Sequence, residues 1–375
     1  MMSVDQLAGL LQVRPGVARP ATLTGTRPDW AAQLSRGRPA SALPDLLGTV
    51  FSLCGQAHRL CAQAAVDAAL GRDAASAHAA GTLRDETLRE HLRRILLDWP
   101  ALPGTGNTDE AAAALRTCPA FRPGGDAADL VRWIERDLLG EAAPAWLTAH
   151  ERAPAAAWAD WCARSTGWLA GLMRALRHDA DRPLAAFAAA PLRAHADERG
   201  LRALAAALRE QPGYTRRPQI DGACAETGSW TRLNDEAAMP ASAWLRCGAR
   251  LAELVRLALP DASARSGRQW LRSGRLAPAP GEGVAWVEMA RGVLVHHVVL
   301  DGRSTTARIE ACHVLAPTEW NFHSDGPVAR ALEALPPAGS PGCERQVAAL
   351  MAAYDPCVRY ELPDMAQRHE EVFHA

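Results

Sequence analysis

Two cysteines sit beside backbone breakers far apart in this chain, in Ser52-Leu53-Cys54-Gly55 and Tyr354-Asp355-Pro356-Cys357. Cys357 follows Asp-Pro at a helix end, where a thiol held by a rigid proline can stay partly exposed and offer a thiolate to a soft metal. His58 follows Cys54 at i+4, a helical spacing that can share a metal. Cys118, Cys162, Cys224, Cys247, Cys312 and Cys343 are read as small buried hydrophobes, the usual role of a free cysteine. Arg291-Gly292 lies between two β-rich runs. Glycine there admits a close neighbour, and arginine can give its planar fork of donors to a small anion. His296 and His297 are adjacent in a strand and face opposite ways, so at most one faces such a site.

The elements that must position these residues are mostly helical. Residues 1–43 are rich in Pro, Gly, Thr and Arg without a sustained period; they either wrap a surface or form short strands. A helical body follows over residues 44–260. Leu46, Val50, Leu53, Cys54, Ala57 and Cys61 fall at three- and four-residue steps, which places Cys54 on a buried helical stripe. A second helix is expected from Thr82, whose pairing with Asp85 resembles a capping box, with Leu88, Leu92, Ile95 and Trp99 as its apolar stripe. Further helices are expected from Asp126 to Leu139, in several pieces between Pro144 and Gln211, and from Ser242 to Leu259, where Pro260 stops the last. Residues 283–312 carry the β signal, with runs at Val284–Glu288, Val293–Leu300 and Thr305–Cys312. The last two are separated by a loop opening on Asp301-Gly302. Short helices over Pro327–Leu335 and Cys343–Tyr354 lead to a C-terminal tail, the helix and tail together covering residues 344–375. The fold class is therefore α+β, mostly α with a small antiparallel sheet, in one domain spanning residues 1–375.

Composition narrows the function classes. Every one of the 41 basic side chains other than histidine is Arg, and the net charge is -1. That balance leaves no footprint for nucleic acid or an anionic membrane. No apolar run reaches the roughly 18 residues of a membrane span. No secretory signal is visible at Met1-Met2-Ser3-Val4-Asp5, and nine scattered cysteines suit free thiols in a reducing cytoplasm. No C-x-x-C pair supports a zinc ribbon or ferredoxin-type cluster.

Five motifs occur in order: Ser-Leu-Cys54-Gly, Glu226-Thr-Gly-Ser-Trp-Thr-Arg232, Glu288-Met-Ala-Arg291-Gly-Val-Leu-Val-His296, Pro317-Thr318-Glu-Trp-Asn321 and Asp-Pro-Cys357. Their order and spacing resemble nickel–iron hydrogenase large subunits, which carry R-x-C-G-x-C, E-x-G-P-L-A-R, E-x-P-R-G-x-L-x-H, P-[ST]-T-W-N and D-P-C-x-x-C-x-x-H. The second cysteines of the two pairs are here Ala57 and Tyr360, the histidine after the first pair is Cys61, and the C-terminal histidine is Pro363. One cysteine retained per motif resembles the HupK/HoxV group of hydrogenase expression/formation proteins. The resemblance implies a cytoplasmic scaffold, not an enzyme, that holds an Fe(CN)2(CO) fragment before nickel is inserted, with no nickel of its own. It implies Cys54 and Cys357 as iron ligands, Arg291 and Thr318 as hydrogen-bond donors to cyanide, and HypC/HypD-type assembly proteins and the large-subunit precursor as partners. His58, Cys61 and His296 are secondary candidates. A divergent catalytic hydrogenase and a metal-free interaction module are the alternatives.

Overall fold

The computed structural model describes residues 9–362 except 27, 74–77, 105, 107, 123, 125, 185–188 and 260–268. The helix Ala243–Ala258 runs through the middle of the helical body, buried nearly all round. Its stripe of Trp244, Cys247, Leu251, Leu254 and Ala258 meets the helices Cys343–Tyr354, His78–Arg93, Pro154–Arg164 and Trp168–Ala180. Ser242 caps its start by accepting from the Leu245 N–H at 3.2 Å. The helix also carries three fully buried charges, Arg246, Arg250 and Glu253. Groups of that kind persist in a core only when paired.

The main sheet is antiparallel, ordered Ser273–Leu276, Glu282–Met289, Gly292–Leu300, Ile309–Leu315. Both faces of its central strands are covered, which explains their near-continuous apolar sequence. Ala285, Val287 and Leu294 belong to the main core with Ala57, Cys61 and Ala65 of the helix Gly55–Leu70. Val284, Trp286, Val293 and Val295 join Leu201, Leu204 and Leu208 of the helix Glu198–Glu210 on the other face. A second sheet joins the two ends of the described chain: Leu10–Val13 pairs antiparallel with Leu23–Thr26 and parallel with Arg359–Glu361. This clamps the segment just after Cys357.

Several expectations are corrected. The stripe Leu46–Cys61 is not one helix: Leu43–Val50 ends at Phe51, a 3-10 turn covers Ser52–Cys54, and Gly55–Leu70 starts afresh. Leu53 is consequently exposed, and Cys54 is the N-cap residue of the new helix rather than a member of a helical face. The helix expected from Thr82 is already formed at His78, so Thr82 lies inside it rather than at its N-cap. Its stripe of Leu88, Leu92, Ile95 and Trp99 is buried as expected. The N-terminal segment takes the short-strand alternative and adds the helix Trp30–Ser35. The third β run starts at Ile309 rather than Thr305, because Asp301 accepts from the Arg308 N–H at 2.8 Å and holds the intervening residues as a loop. The edge strand Ser273–Leu276 was not legible in the sequence. Pro260 and Pro363 lie outside the described residues.

Candidate metal centre

Asp355 is the residue around which the site is assembled. It ends the helix Cys343–Tyr354 with φ +53°, a left-handed conformation that Asp tolerates better than most residues. The turn and Pro356 carry the chain away from the helix toward Cys357. The buried carboxylate meets Arg94 at 2.7 Å and Arg250 and Arg291 at 3.3 Å each. Burial opposes its charge, but Arg291, Arg250 and Arg94 hold the carboxyl below its usual pKa. Arg94 opens a π-helical turn, Arg94–Asp98, that extends the helix His78–Arg93. Such turns often mark functional sites.

Arg291 sits at the tip of the two-residue turn between Glu282–Met289 and Gly292–Leu300, and is 2% exposed. Its Nη2 donates to Glu90 Oε2 at 2.9 Å, and its Nε faces Asp355. Its Nη1 is buried with no hydrogen-bond partner among the described residues. Burial opposes the guanidinium charge, yet Asp355 and Glu90, then Cys54 and Cys357, raise its pKa. Both thiols thus lie within electrostatic reach of this one cation. Gly292 is required beside it: its φ is +131°, and a Cβ would stand 2.4 Å from Thr227 Oγ1.

Thr318 Oγ1 lies 3.0 Å from Cys357 Sγ and accepts from the Cys357 N–H at 3.4 Å. Because the oxygen accepts from that amide, its own proton is available to the sulfur. Cys357 is half-buried, and Cys54 is 8% exposed. Cys54 offers no side-chain cap to its helix. Glu86 substitutes, accepting from the N–H groups of Gln56 at 2.7 Å and Ala57 at 2.8 Å. Gly55 lets the helix Leu43–Val50 pass, since a Cβ there would lie 2.6 Å from Gly48 O.

The five motifs are joined by these contacts and a few more. Asn321 accepts from the Thr227 N–H at 2.9 Å and donates to the Thr227 carbonyl at 2.7 Å. Thr227 Oγ1 accepts from the Val293 N–H, and Arg232 donates to the Met289 carbonyl. Glu86 and Glu90, one turn apart on one helix, bind the Cys54 helix start and Arg291 respectively. Glu86, Glu90, Asp355, Arg94 and Arg250 were not singled out from the sequence. The signal available was the i, i+4 row Glu86-Glu90-Arg94 off the apolar stripe.

The secondary candidates behave differently. His58 and His296 are buried, with His296 Nε2 3.1 Å from His58 Nδ1, and His58 stacks on Phe51. Burial pushes His296 down to about 3, so this ring is neutral. His297 turns to the opposite face and meets Glu282 at 2.7 Å. The Cys61 thiol donates to the Ala285 carbonyl at 3.3 Å, and burial raises its pKa far above the ordinary value. That is the environment of a packed thiol. Ala57 is fully buried and Tyr360 lies in the strand Arg359–Glu361; neither brings a thiolate. Among the described residues no three His, Cys, Asp or Glu side chains gather as a metal cage. The groups here that could face a metal bringing its own anionic ligands are the Cys54 and Cys357 thiols, the Arg291 Nη1 and the Thr318 hydroxyl on the Cys357 sulfur. No described helix is long and apolar enough to cross a membrane.

No family model matches the chain. Solved structures share its fold: a [NiFeSe] hydrogenase variant of Desulfovibrio vulgaris aligns with TM-score 0.53 and 16% identity over 89% of this chain and 92% of that one. A [NiFeSe] hydrogenase of Desulfomicrobium baculatum aligns with TM-score 0.51 and 14% identity over 89% of this chain and 93% of that one. In sequence, the chain is 41% identical to hydrogenase expression/formation protein HoxV of Cupriavidus necator, over 98% of both chains. It is 34% identical to HupK of Bradyrhizobium diazoefficiens over 88% of both. On a large-subunit fold that keeps one cysteine of each pair, and with these relatives, the chain belongs to the HupK/HoxV family of hydrogenase expression/formation proteins.

Proposed function

We propose that this chain is an accessory factor in nickel–iron hydrogenase assembly. It holds an Fe(CN)2(CO) fragment between the thiolates of Cys54 and Cys357 and passes it to the large subunit. The family names support the accessory role. The observation that carries the finer reading is Arg291: it pairs with Asp355, two residues before Cys357, and its Nη1 is buried with no partner among the described residues. A buried guanidinium N–H without an acceptor is costly, and a metal-bound cyanide nitrogen is an acceptor of the right charge. Low-spin iron already carrying cyanide and carbon monoxide needs few protein ligands, and soft thiolates suit it. Thr318 would steady the Cys357 sulfur and serve the fragment as a hydrogen-bond donor.

Ala57 and Tyr360 stand where a nickel site needs its other two thiolates, so this set holds iron without capturing nickel. Water or a thiolate from the partner completes the iron. HypC/HypD-type assembly proteins would supply the fragment and the large-subunit precursor would receive it. Elemental analysis of protein from an anaerobic, maturation-competent host tests this. Iron without nickel is expected, lost in Cys54→Ala and Cys357→Ala and kept in Cys61→Ala. Unchanged iron in the first two variants would show that the wrong ligands were chosen.

A further inference from the structure

The helix His78–Arg93 reaches Arg291 along two routes. Glu90 binds it directly, and the next residue, His91, is joined to it by a buried chain of side chains. The His91 ring is fully buried. Its Nδ1 lies 3.2 Å from Arg250 Nη1, and its Nε2 lies 2.7 Å from Glu253 Oε2. Arginine can only donate, so Nδ1 accepts and the ring proton stands on Nε2, where it is given to Glu253. Both nitrogens are thus used by a neutral ring. Burial lowers the pKa and favours that form.

Glu253 is the fixed end of the chain. Its Oε1 accepts from Arg232 Nε at 2.6 Å and Trp270 Nε1 at 2.8 Å, and its Oε2 accepts from Arg232 Nη2 at 2.7 Å as well as from His91. Four donors on two oxygens hold that carboxylate in one orientation. Arg250 is the other end. Its Nη2 donates to the Ala353 carbonyl at 3.4 Å, while Nη1 also faces Asp355 Oδ2. Neither Asp355 oxygen makes a hydrogen bond among the described residues, so its three arginines hold it by charge. Charge attraction depends on distance and has little direction of its own. Where this carboxylate sits therefore follows from what aims the arginines. For Arg250 that is His91, and the same Oδ2 faces Arg291 Nε.

We propose that His91 is a positioning residue of the metal centre: it aims Arg250 at Asp355 and, through Asp355, sets the direction of Arg291 Nη1. The inference rests on the carrier reading and extends the site to a residue that acts only through others.

The test uses protein purified anaerobically from the maturation-competent host and compares infrared bands, iron per chain and melting temperature. His91→Gln keeps an amide N–H near Nε2 for Glu253 but puts no acceptor where Nδ1 stands. Its cyanide bands should shift from the parent's while iron stays bound. His91→Asn places an amide oxygen near Nδ1 for Arg250, and its cyanide bands should return to the parent's positions. A lowered melting temperature with cyanide bands unmoved in His91→Gln, or bands moved equally in both variants, would reduce His91 to a structural role and overturn the proposal. Arg250→Lys removes the receiving fork of the same contact and should shift the bands too. Unmoved bands there overturn the proposal even where His91→Gln does not fold. A parent protein without these bands would instead overturn the carrier reading. Crystal structures of the metal-free parent and His91→Gln would still judge His91: displaced Arg250 and Arg291 guanidinium groups are expected, and superposable ones would contradict the positioning role.

Discussion

Arg291 is held by carboxylates from two elements, Glu90 of the helix His78–Arg93 and Asp355 at the end of Cys343–Tyr354. Removing one partner of a buried ion network leaves the other charges uncompensated, typically at about 3–5 kcal/mol. Arg94 and Arg250 remain for Asp355, so Arg291→Met should cost about 3 kcal/mol in urea unfolding, near the lower end of that range; a cost below about 1 kcal/mol would mean the network is loosely coupled. Thr318→Val keeps the volume and removes the hydroxyl from Cys357. It should leave stability within about 1.5 kcal/mol and lower, without abolishing, the iron retained through purification. Full retention would assign Thr318 a packing role only. At this scale Cys54, Cys357, Arg291 and Thr318 were legible because their types and order match a motif set. Asp355 stood in the same motif, but nothing in one sequence says that three arginines converge on it.

The turn bearing Arg291 and the turn bearing Cys54 each depend on a glycine at a crowded crossing. Gly292→Ala meets both a positive φ and Thr227, so it should destabilise by about 2 kcal/mol or more and displace Arg291. Thermal melting and iron content read the two effects; an unaltered melt would contradict the crossing. Gly81 is the control: it is an exposed position near the start of the described helix His78–Arg93, with nothing within 4 Å of an added Cβ. Gly81→Ala should raise stability by about 0.5–1 kcal/mol. Elements with a strong period were legible, as in Ala243–Ala258 and the central strands. The break at Phe51 was not, because apolar residues keep helical spacing across it while the backbone leaves the helix. The helix is already formed at His78, four residues before the Thr82-Asp85 pair that suggested its start.

Across the whole molecule, burial pushes His195 and His296 down to about 3 and His150 to about 4. In the unfolded chain each titrates near 6.5, so below that pH the unfolded state takes up protons that the folded state refuses. Stability is therefore full above about pH 6.5 and falls with decreasing pH toward the folded values, by up to about 1.4 kcal/mol per histidine per pH unit. The melting temperature should drop steadily between about pH 7 and pH 5; a constant or rising value would contradict neutral burial. The α+β class was legible from the helical and β periods, and the large-subunit resemblance from five motifs in order. Their joining was not, since it runs through Asn321, Thr227, Glu86 and Glu90, whose contacts cross more than one element. The central claim is that Cys54 and Cys357 hold iron bearing cyanide and carbon monoxide. Infrared spectroscopy of anaerobically purified protein tests it most directly. Cyanide and carbon monoxide stretching bands are expected, and both should vanish in Cys54→Ala and Cys357→Ala. A parent protein without those bands, or variants that keep them, would contradict it.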